Sequence, residues 1–359
     1  MTSLPSRRVS RVAAAVAGFA IAALAIAGCA SGAGSAPSST GDAATDGFGE
    51  LTVQLSWIKN EEFSGEFFAD SEGYFTDAGF DSVTLVPGPS TGAAELISGS
   101  ADVALSDAVS IGSVVASEGA PLKIIGTTFQ KNPFTVLSLK DGGDIATPED
   151  LIGKKIGVQD SNTALFKALL AANGIDESEL TIVPVQYDPA PLINGEVDGF
   201  IAYLTNEAIT VEASGVATTN LPFADNGLPF VAETITVTDD AIANDREKLK
   251  AFLVAEIKGW TDAVNDPAAG AALAVNDYGK DLDLNLENSV AGATVQAEQL
   301  VVSDETVENG LFTISDSLQK ETVKSLAGAG ITLTAADLFD LSLLAEVYEE
   351  NPDLIAYAG

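Results

Sequence analysis

From residue 51 onward, short apolar runs at period two alternate with stretches whose apolar residues recur at helical spacing. That alternation restricts the chain to an α/β body with parallel strands. Leu51, Val53, Leu55 and Trp57 fall at period two and predict a first strand that ends at an aromatic. A helix over 62–72 is expected next, with Phe63 and Phe67 one turn apart and Gly73 placed to end it. Residues 82–86 read as the second strand, the run Pro87-Gly88-Pro89-Ser90-Thr91-Gly92 as a turn, and 93–97 as a short helix. Residues 103–105 and 124–128 supply two further strands. The exit loops of such strands open on one edge of the sheet, where ligands of open α/β sheets bind.

A second α/β pattern begins near Pro148. Residues 155–159 form a strand, Asp160-Ser161-Asn162-Thr163 a capping cluster, and 164–172 a helix stopped by Asn173-Gly174. Strands are expected at 180–186 and 197–202, with a short helix and turn at 192–195 between them. After 230–237 the pattern turns mostly helical, starting with 245–265. The middle segment therefore reads as an inserted domain joined by two crossovers, near 135–140 and 230–238. Periodicity alone does not return the chain to the first domain.

Ahead of this body, Arg7, Arg8 and Arg11 precede an apolar stretch over 12–26 that is too short for a committed membrane span. Ile26-Ala27-Gly28-Cys29 then sets small residues before the single cysteine of the chain, the pattern of a lipoprotein export signal. Residues 1–28 are read as the signal, and Cys29 as the lipidated N-terminus; a buried thiol in an apolar segment is the plainer alternative. One cysteine leaves no disulfide partner. Residues 29–48 are nearly all Ala, Ser, Gly, Thr, Pro and Asp, the composition of a flexible tether. Beyond the signal, no apolar run nears the roughly 20 residues of a second crossing. The expected location is the extracytoplasmic face of the cell membrane, held by lipid alone.

Charge and two absences narrow the chemistry. Removing residues 1–28 takes three of 17 basic residues and none of 52 acidic ones, leaving 14 against 52 and a net charge of −38. Nucleic acid and anionic lipid surfaces are repelled by such a body. There is no histidine, which excludes Ser-His-Asp and Cys-His catalysis and histidine-ligated metals; no catalytic residue, metal or cofactor is expected. After signal removal Arg246 is the single arginine, so ligands usually gripped by a guanidinium fork lose weight. A helix N-terminus or a lysine can still hold an anion.

Several blocks resemble one family. Leu55-Ser56-Trp57-Ile58-Lys59-Asn60, followed by Gly73-Tyr74-Phe75-Thr76-Asp77-Ala78-Gly79-Phe80, is similar to the opening of solute-binding proteins for nitrate, sulfonates, taurine and thiamine pyrimidine precursors. Gly99-Ser100-Ala101-Asp102-Val103-Ala104, the run from Leu151 to Val158, and Gly195-Glu196-Val197-Asp198-Gly199 with Tyr203 and Asn206-Glu207 extend the likeness. The resemblance implies a two-lobed periplasmic-binding-protein type II fold, each lobe a mixed sheet flanked by helices, hinged at two crossovers. Lobe 1 is then 49–137 plus 236–359, and lobe 2 is 138–235. It also implies a monomeric partner for an ABC permease with a cytoplasmic ATPase. Trp57 and Asn60 resemble the tryptophan-x-x-asparagine element of the thiamine-pyrimidine branch, which includes riboflavin binders. Lys59 and Ser64 stand where that branch often has proline and histidine, so the ligand is left open between a pyrimidine, a flavin and another heteroaromatic. Pyrimidine synthases of this fold use a histidine and a cysteine-rich motif, both missing here.

On this reading Trp57 offers a flat face for a heteroaromatic ring, and either Tyr187 or Tyr203 supplies the opposite face. Asn60, Asn206 and Glu207 carry the donors and acceptors such a ring edge needs. Ser90, with Thr91, lies in a glycine-containing loop before a helix; Asp160 and Thr163 do the same in the second lobe, with ordinary capping as the plainer role. Asp107 follows a strand and faces the cleft from the first lobe. Lys131 and Asn132 touch ligand or form a turn. Glu61-Glu62 and Asp239-Asp240 read as surface charge. The function so inferred is capture of a small heteroaromatic ligand by lobe closure and delivery to a permease. A binder for a sulfonate or nitrate-type anion is the alternative, and a carboxylate-dependent extracytoplasmic hydrolase a further one.

Overall fold

The computed structural model describes residues 47–357. The export signal, Cys29 and residues 29–46 of the expected tether lie outside the described residues. Phe48 already belongs to the folded body: its N–H donates to the Gly79 carbonyl at 2.8 Å and its ring packs on Phe80. Among the described residues no helix is long and apolar enough to cross a membrane.

Ten strands form two five-stranded sheets. The first holds β1 (Gly49–Gln54), β2 (Phe80–Val86), β3 (Val103–Asp107), β4 (Leu122–Phe129) and β10 (Ala232–Thr238), in the order β2-β1-β3-β10-β4. The second holds β5 (Phe134–Leu139), β6 (Lys155–Val158), β7 (Thr181–Pro184), β8 (Gly199–Tyr203) and β9 (Thr218–Pro222), in the order β7-β6-β8-β5-β9. In each sheet four strands run in one direction, and the strand that has just crossed from the other sheet enters antiparallel to both neighbours. Two mixed sheets flanked by helices and joined by two crossovers are the architecture of the periplasmic-binding type II clamp.

The crossovers sit a few residues from where periodicity put them. The segment read as the first crossover, 135–140, is largely β5, paired between β8 and β9; the chain crosses at 130–133 instead. β5 is buried on both faces, so it lacks the alternation that marks a half-exposed strand. The second crossover, 223–231, likewise ends before β10 begins. A boundary at residue 137 therefore cuts through β5, and one at 235 through β10. Asn132 ties the two linkers together, its Nδ2 donating to the Leu228 carbonyl at 2.8 Å while its Oδ1 accepts from the Phe134 N–H at 2.9 Å. The expected ligand-or-turn role of Asn132 is thus a hinge clamp.

The late helices return to the first sheet, as the resemblance implied. Helix Arg246–Asn265 packs along helix Ser64–Ser71, where a Cβ on Gly259 would lie 2.2 Å from the Gly65 carbonyl oxygen. Arg246 grips Glu346 on helix Ser342–Glu350 through two hydrogen bonds of 2.9 and 2.7 Å, and Phe339 bridges to Ile124 of β4. The expected helix over 62–72 is a 3₁₀ turn, Glu61–Phe63, followed by helix Ser64–Ser71.

Candidate functional site

The first strand stops at Gln54, and Trp57 lies beyond it in an exit loop rather than on the strand. That loop is braced by the one after β2: the Gly88 N–H donates to the Trp57 carbonyl at 2.7 Å, and the Ser90 N–H to the Ser56 carbonyl at 2.9 Å. Gly88 is required here, because a Cβ would sit 2.3 Å from the Ser56 oxygen. The indole is thereby fixed at the mouth of a cleft between the lobes, with 8% of its surface exposed. Its Nε1–H has no hydrogen-bond partner of good geometry among the described residues.

The cleft encloses about 480 Å³ of space, continuous with solvent. Its first-lobe wall carries Ser56, Trp57, Glu62, Ser90, Asp107 and Glu233; its second-lobe wall carries Phe134, Ser161, Asn162, Tyr203, Asn206 and Glu207. Of the residues picked from sequence, Trp57, Ser90, Asp107, Tyr203, Asn206 and Glu207 are brought together here. Asn60, Asp160, Thr163 and Tyr187 are not. Asn60 is buried behind the loop, where its Oδ1 accepts from the Glu62 N–H at 3.4 Å and caps the 3₁₀ turn. Asp160 is exposed and Thr163 bonds back to the Gln159 carbonyl, leaving Ser161 and Asn162 between them to face the cleft. Tyr187 lies out in solvent, 38% exposed, so the phenol that faces Trp57's cleft is Tyr203. Lys131 is exposed outside the lining.

Two lining residues escaped sequence reasoning. Glu62, read with Glu61 as surface charge, is 3% exposed, and Glu61 is buried too; Asp239 and Asp240 are exposed as expected. Both glutamates are buried because a distant helix covers the 3₁₀ turn: Gln296 Nε2 donates to the Glu61 and Glu62 carbonyls at 3.2 and 3.3 Å. Glu233 stands at a break in β10, where the register shifts between Ala232 and Thr234 and its φ is 45°. The irregularity turns its side chain out of the sheet and into the cleft. One acid inside an otherwise uncharged strand was the available signal.

Around these groups the polar contacts cross the lobes. The Tyr203 hydroxyl donates to Glu233 Oε1 at 2.9 Å, and the Tyr203 ring packs edge-on against Phe134, centroids 4.5 Å apart. Ser56 Oγ lies 3.0 Å from both Glu233 oxygens and 3.4 Å from Glu62 Oε1. Glu62 and Glu233 thus crowd one another around that hydroxyl, and a carboxyl pair so close and so buried holds a proton. Burial, and after it the neighbouring carboxyl, hold Glu62 well above the ordinary range; burial raises Glu233 as well. Glu207 starts helix Glu207–Ala213, and burial pushes it up to about 7 against the pull of the Tyr203 N–H, which it accepts at 2.9 Å. The indole N–H of Trp57 lies near enough to lower it slightly, though outside good bonding geometry. Asp107 is raised by burial but is held by the helix it caps, accepting from the Val109 and Ser110 N–H groups at 2.8 and 2.9 Å. Among the described residues no Lys or Arg side chain lines the cleft.

Two hinged lobes meeting at a cleft of aromatic faces and hydrogen-bonding groups define a clamp-type binding-protein fold. The family profile described as NMT1/THI5 like matches residues 60–270, more than half of the chain, and the chain belongs to that family. A riboflavin-binding protein, RibY of Chloroflexus aurantiacus, is 24% identical over 306 residues, covering 80% of this chain and 83% of the relative. The aliphatic sulphonate binding protein SsuA of Escherichia coli superposes with a TM-score of 0.59 at 14% identity, covering 77% of this chain and 90% of that one. The nitrate-binding protein NrtA of Synechocystis PCC 6803 gives 0.60 at 15% identity, covering 86% and 92%. At such identities these two structures speak for the fold alone.

Proposed function

We propose that this protein captures a small heteroaromatic compound, a thiamine pyrimidine precursor or a related vitamin-like molecule, and hands it to an ABC permease with cytoplasmic ATPase subunits. It acts as a monomer, lipid-anchored through Cys29 on the extracytoplasmic face, and performs no covalent chemistry. One observation carries the reading: the cleft sets the rings of Trp57 and Tyr203 beside Glu62, Glu207, Glu233 and Asp107, with no basic side chain in its lining. Stacking a flat ring against such faces contributes about 1 kcal/mol beyond simple burial. Ring-attached amino groups find acceptors in the carboxyls, and a ligand lacking them leaves those groups buried and unpaired.

The same observation weighs against a sulfonate or nitrate ligand, whose charge would be brought beside carboxyls in a low-dielectric site. It also weighs against a hydrolase. Glu62 and Glu233 touch, whereas the carboxyls of a glycosidase pair stand about 5 Å or more apart. A flavin ligand is the second reading, supported by the riboflavin-binding relative and by the mixed donors and acceptors of an isoalloxazine edge. Closure follows from the contacts between lobes: a ligand resting on one lobe gains further contacts only as the other swings in, which shifts the open-to-closed equilibrium.

The chain has two tryptophans, Trp57 and Trp260, so intrinsic fluorescence reports the test. Purified protein is titrated with hydroxymethylpyrimidine, formylaminopyrimidine, thiamine, riboflavin, taurine and nitrate. A saturable change is expected with a heteroaromatic compound, and Trp57→Phe should remove most of it. A response to taurine or nitrate alone would refute the aromatic-ligand reading.

A further inference from the structure

The carboxyl pair in the cleft lacks the counter-charge that its position demands. Glu62 and Glu233 are 3% and 2% exposed and crowd a single hydroxyl, Ser56 Oγ, which lies 3.4 Å from one and 3.0 Å from the other; two carboxyls so close and so far from water keep at least one proton between them in the empty site. The groups facing the pair are Glu61 from the same 3₁₀ turn, Asp107 from the end of β3, Tyr203 and Glu207 from the second lobe, and Glu66 from below. Each of these is an acid or a phenol. Ser56 and Tyr203 supply hydrogen bonds to the pair but no positive charge. A second feature points to an absent molecule: the Trp57 Nε1–H, in a side chain more than nine-tenths buried, lines the same cleft without a well-formed hydrogen bond, its nearby Glu207 carboxyl lying outside good geometry. A complementary ligand presents an acceptor to the indole and positive N–H groups or a ring cation to the carboxyls.

We propose that the cleft selects a heteroaromatic ligand that is positively charged when bound, and that its entry expels the proton shared by Glu62 and Glu233 to solvent. The inference rests on the heteroaromatic reading above and adds the charge class. The balance is simple: one proton leaves for the buffer, one cation takes its place, and the net charge of the buried site is unchanged. Without the ligand, two ionised carboxylates in contact would repel each other in a desolvated site. For a permanently charged ligand, release of one proton makes affinity rise as pH rises, by up to tenfold per unit below the pair's titration.

The probes are thiamine, a permanent cation, and riboflavin, which is uncharged, titrated calorimetrically into the full chain in phosphate and in Tris at matched pH. The expected result is close to one proton released per thiamine bound, an affinity for thiamine that climbs as pH rises, and no release with riboflavin. Glu233→Gln keeps a neutral hydrogen-bonding group of the same shape; it should abolish the release and weaken thiamine more than tenfold with the circular dichroism unchanged. Glu62→Gln makes the same test if Glu233→Gln misfolds. Saturable aromatic binding with no buffer-dependent enthalpy and no pH slope overturns the inference while leaving the heteroaromatic reading intact. Binding of riboflavin alone overturns it in favour of a neutral ring. No saturable signal from thiamine, riboflavin or hydroxymethylpyrimidine removes the reading beneath it as well.

Discussion

Buried carboxyls are the residues that carry most of this account. Besides the pair in the cleft, Glu66 and Glu256 face each other between helices Ser64–Ser71 and Arg246–Asn265, each 1% exposed. Trp260 Nε1 donates to Glu66 Oε1 at 3.2 Å, whereas neither oxygen of Glu256 has a donor partner among the described residues. Burial raises both above the ordinary value of 4.5, and the neighbouring Glu66 charge raises Glu256 further. A raised folded-state value means that the folded protein binds more protons than the unfolded chain; the stabilisation is complete below that ordinary value and is lost as pH rises through the raised ones. Glu256→Gln, which stays neutral, should match the wild type in Tm near pH 4.5 and exceed it increasingly toward alkaline pH, on the order of 1–3 kcal/mol. A difference in Tm that is flat with pH would contradict this. Tyr203→Phe removes the 2.9 Å bond from the second lobe to Glu233 and should weaken ligand binding about fivefold, roughly 1 kcal/mol, measured by the same fluorescence titration. Trp57 was legible as a strand-exit aromatic, and Glu207 as a polar group at a helix start. Glu62 and Glu233 were not, since one lies in a turn covered by a helix 234 residues away in sequence and the other at a break in strand register that no local spacing announces.

At the scale of elements, two glycines set how closely helices may come, with different consequences. Gly65 meets the Trp260 ring, where an added Cβ would sit 2.2 Å from the indole; Gly65→Ala should destabilise the first lobe by about 1–3 kcal/mol and lower Tm. Gly292, on helix Leu286–Gln296, lies against the second lobe, where a Cβ would sit 2.4 Å from the Thr205 carbonyl oxygen. Gly292→Ala should hold the lobes apart and weaken ligand affinity about tenfold while leaving Tm nearly unchanged, because the clash is relieved by opening rather than by unfolding. A variant that lost Tm and kept affinity would place the strain inside a lobe instead. The alternation of period-two and helical stretches was enough to find β1, β2, β3, β4, β6, β7 and β8 to within a few residues, and also helix Arg246–Asn265, expected over 245–265. β5 was missed, for both its faces are covered and the sheet that a buried strand joins depends on distant partners. That one strand moved the hinge from 135–140 to 130–133.

As a whole molecule, the chain pairs a clamp that moves with a surface that is strongly acidic. With 17 basic and 52 acidic residues the chain carries a net charge of −35; under the proposed transport function this favours docking on a basic permease face and makes that docking weaken with salt. The two linkers between the sheets are tied to each other by Asn132, which fits a hinge about which the proposed closure turns. The fold class was readable because it follows from the order of elements. The ligand was less so, because it is set by side chains that five separate loops and turns bring together. The central claim is that the lobes shut over a flat ring held beside the indole of Trp57. A crystal structure of the protein with the compound that saturates its fluorescence tests this directly. The account predicts a closed clamp with the ring within about 4 Å of the Trp57 indole and its polar edge toward Glu62 and Glu233; a ring bound elsewhere, or lobes that stay open around it, contradicts it.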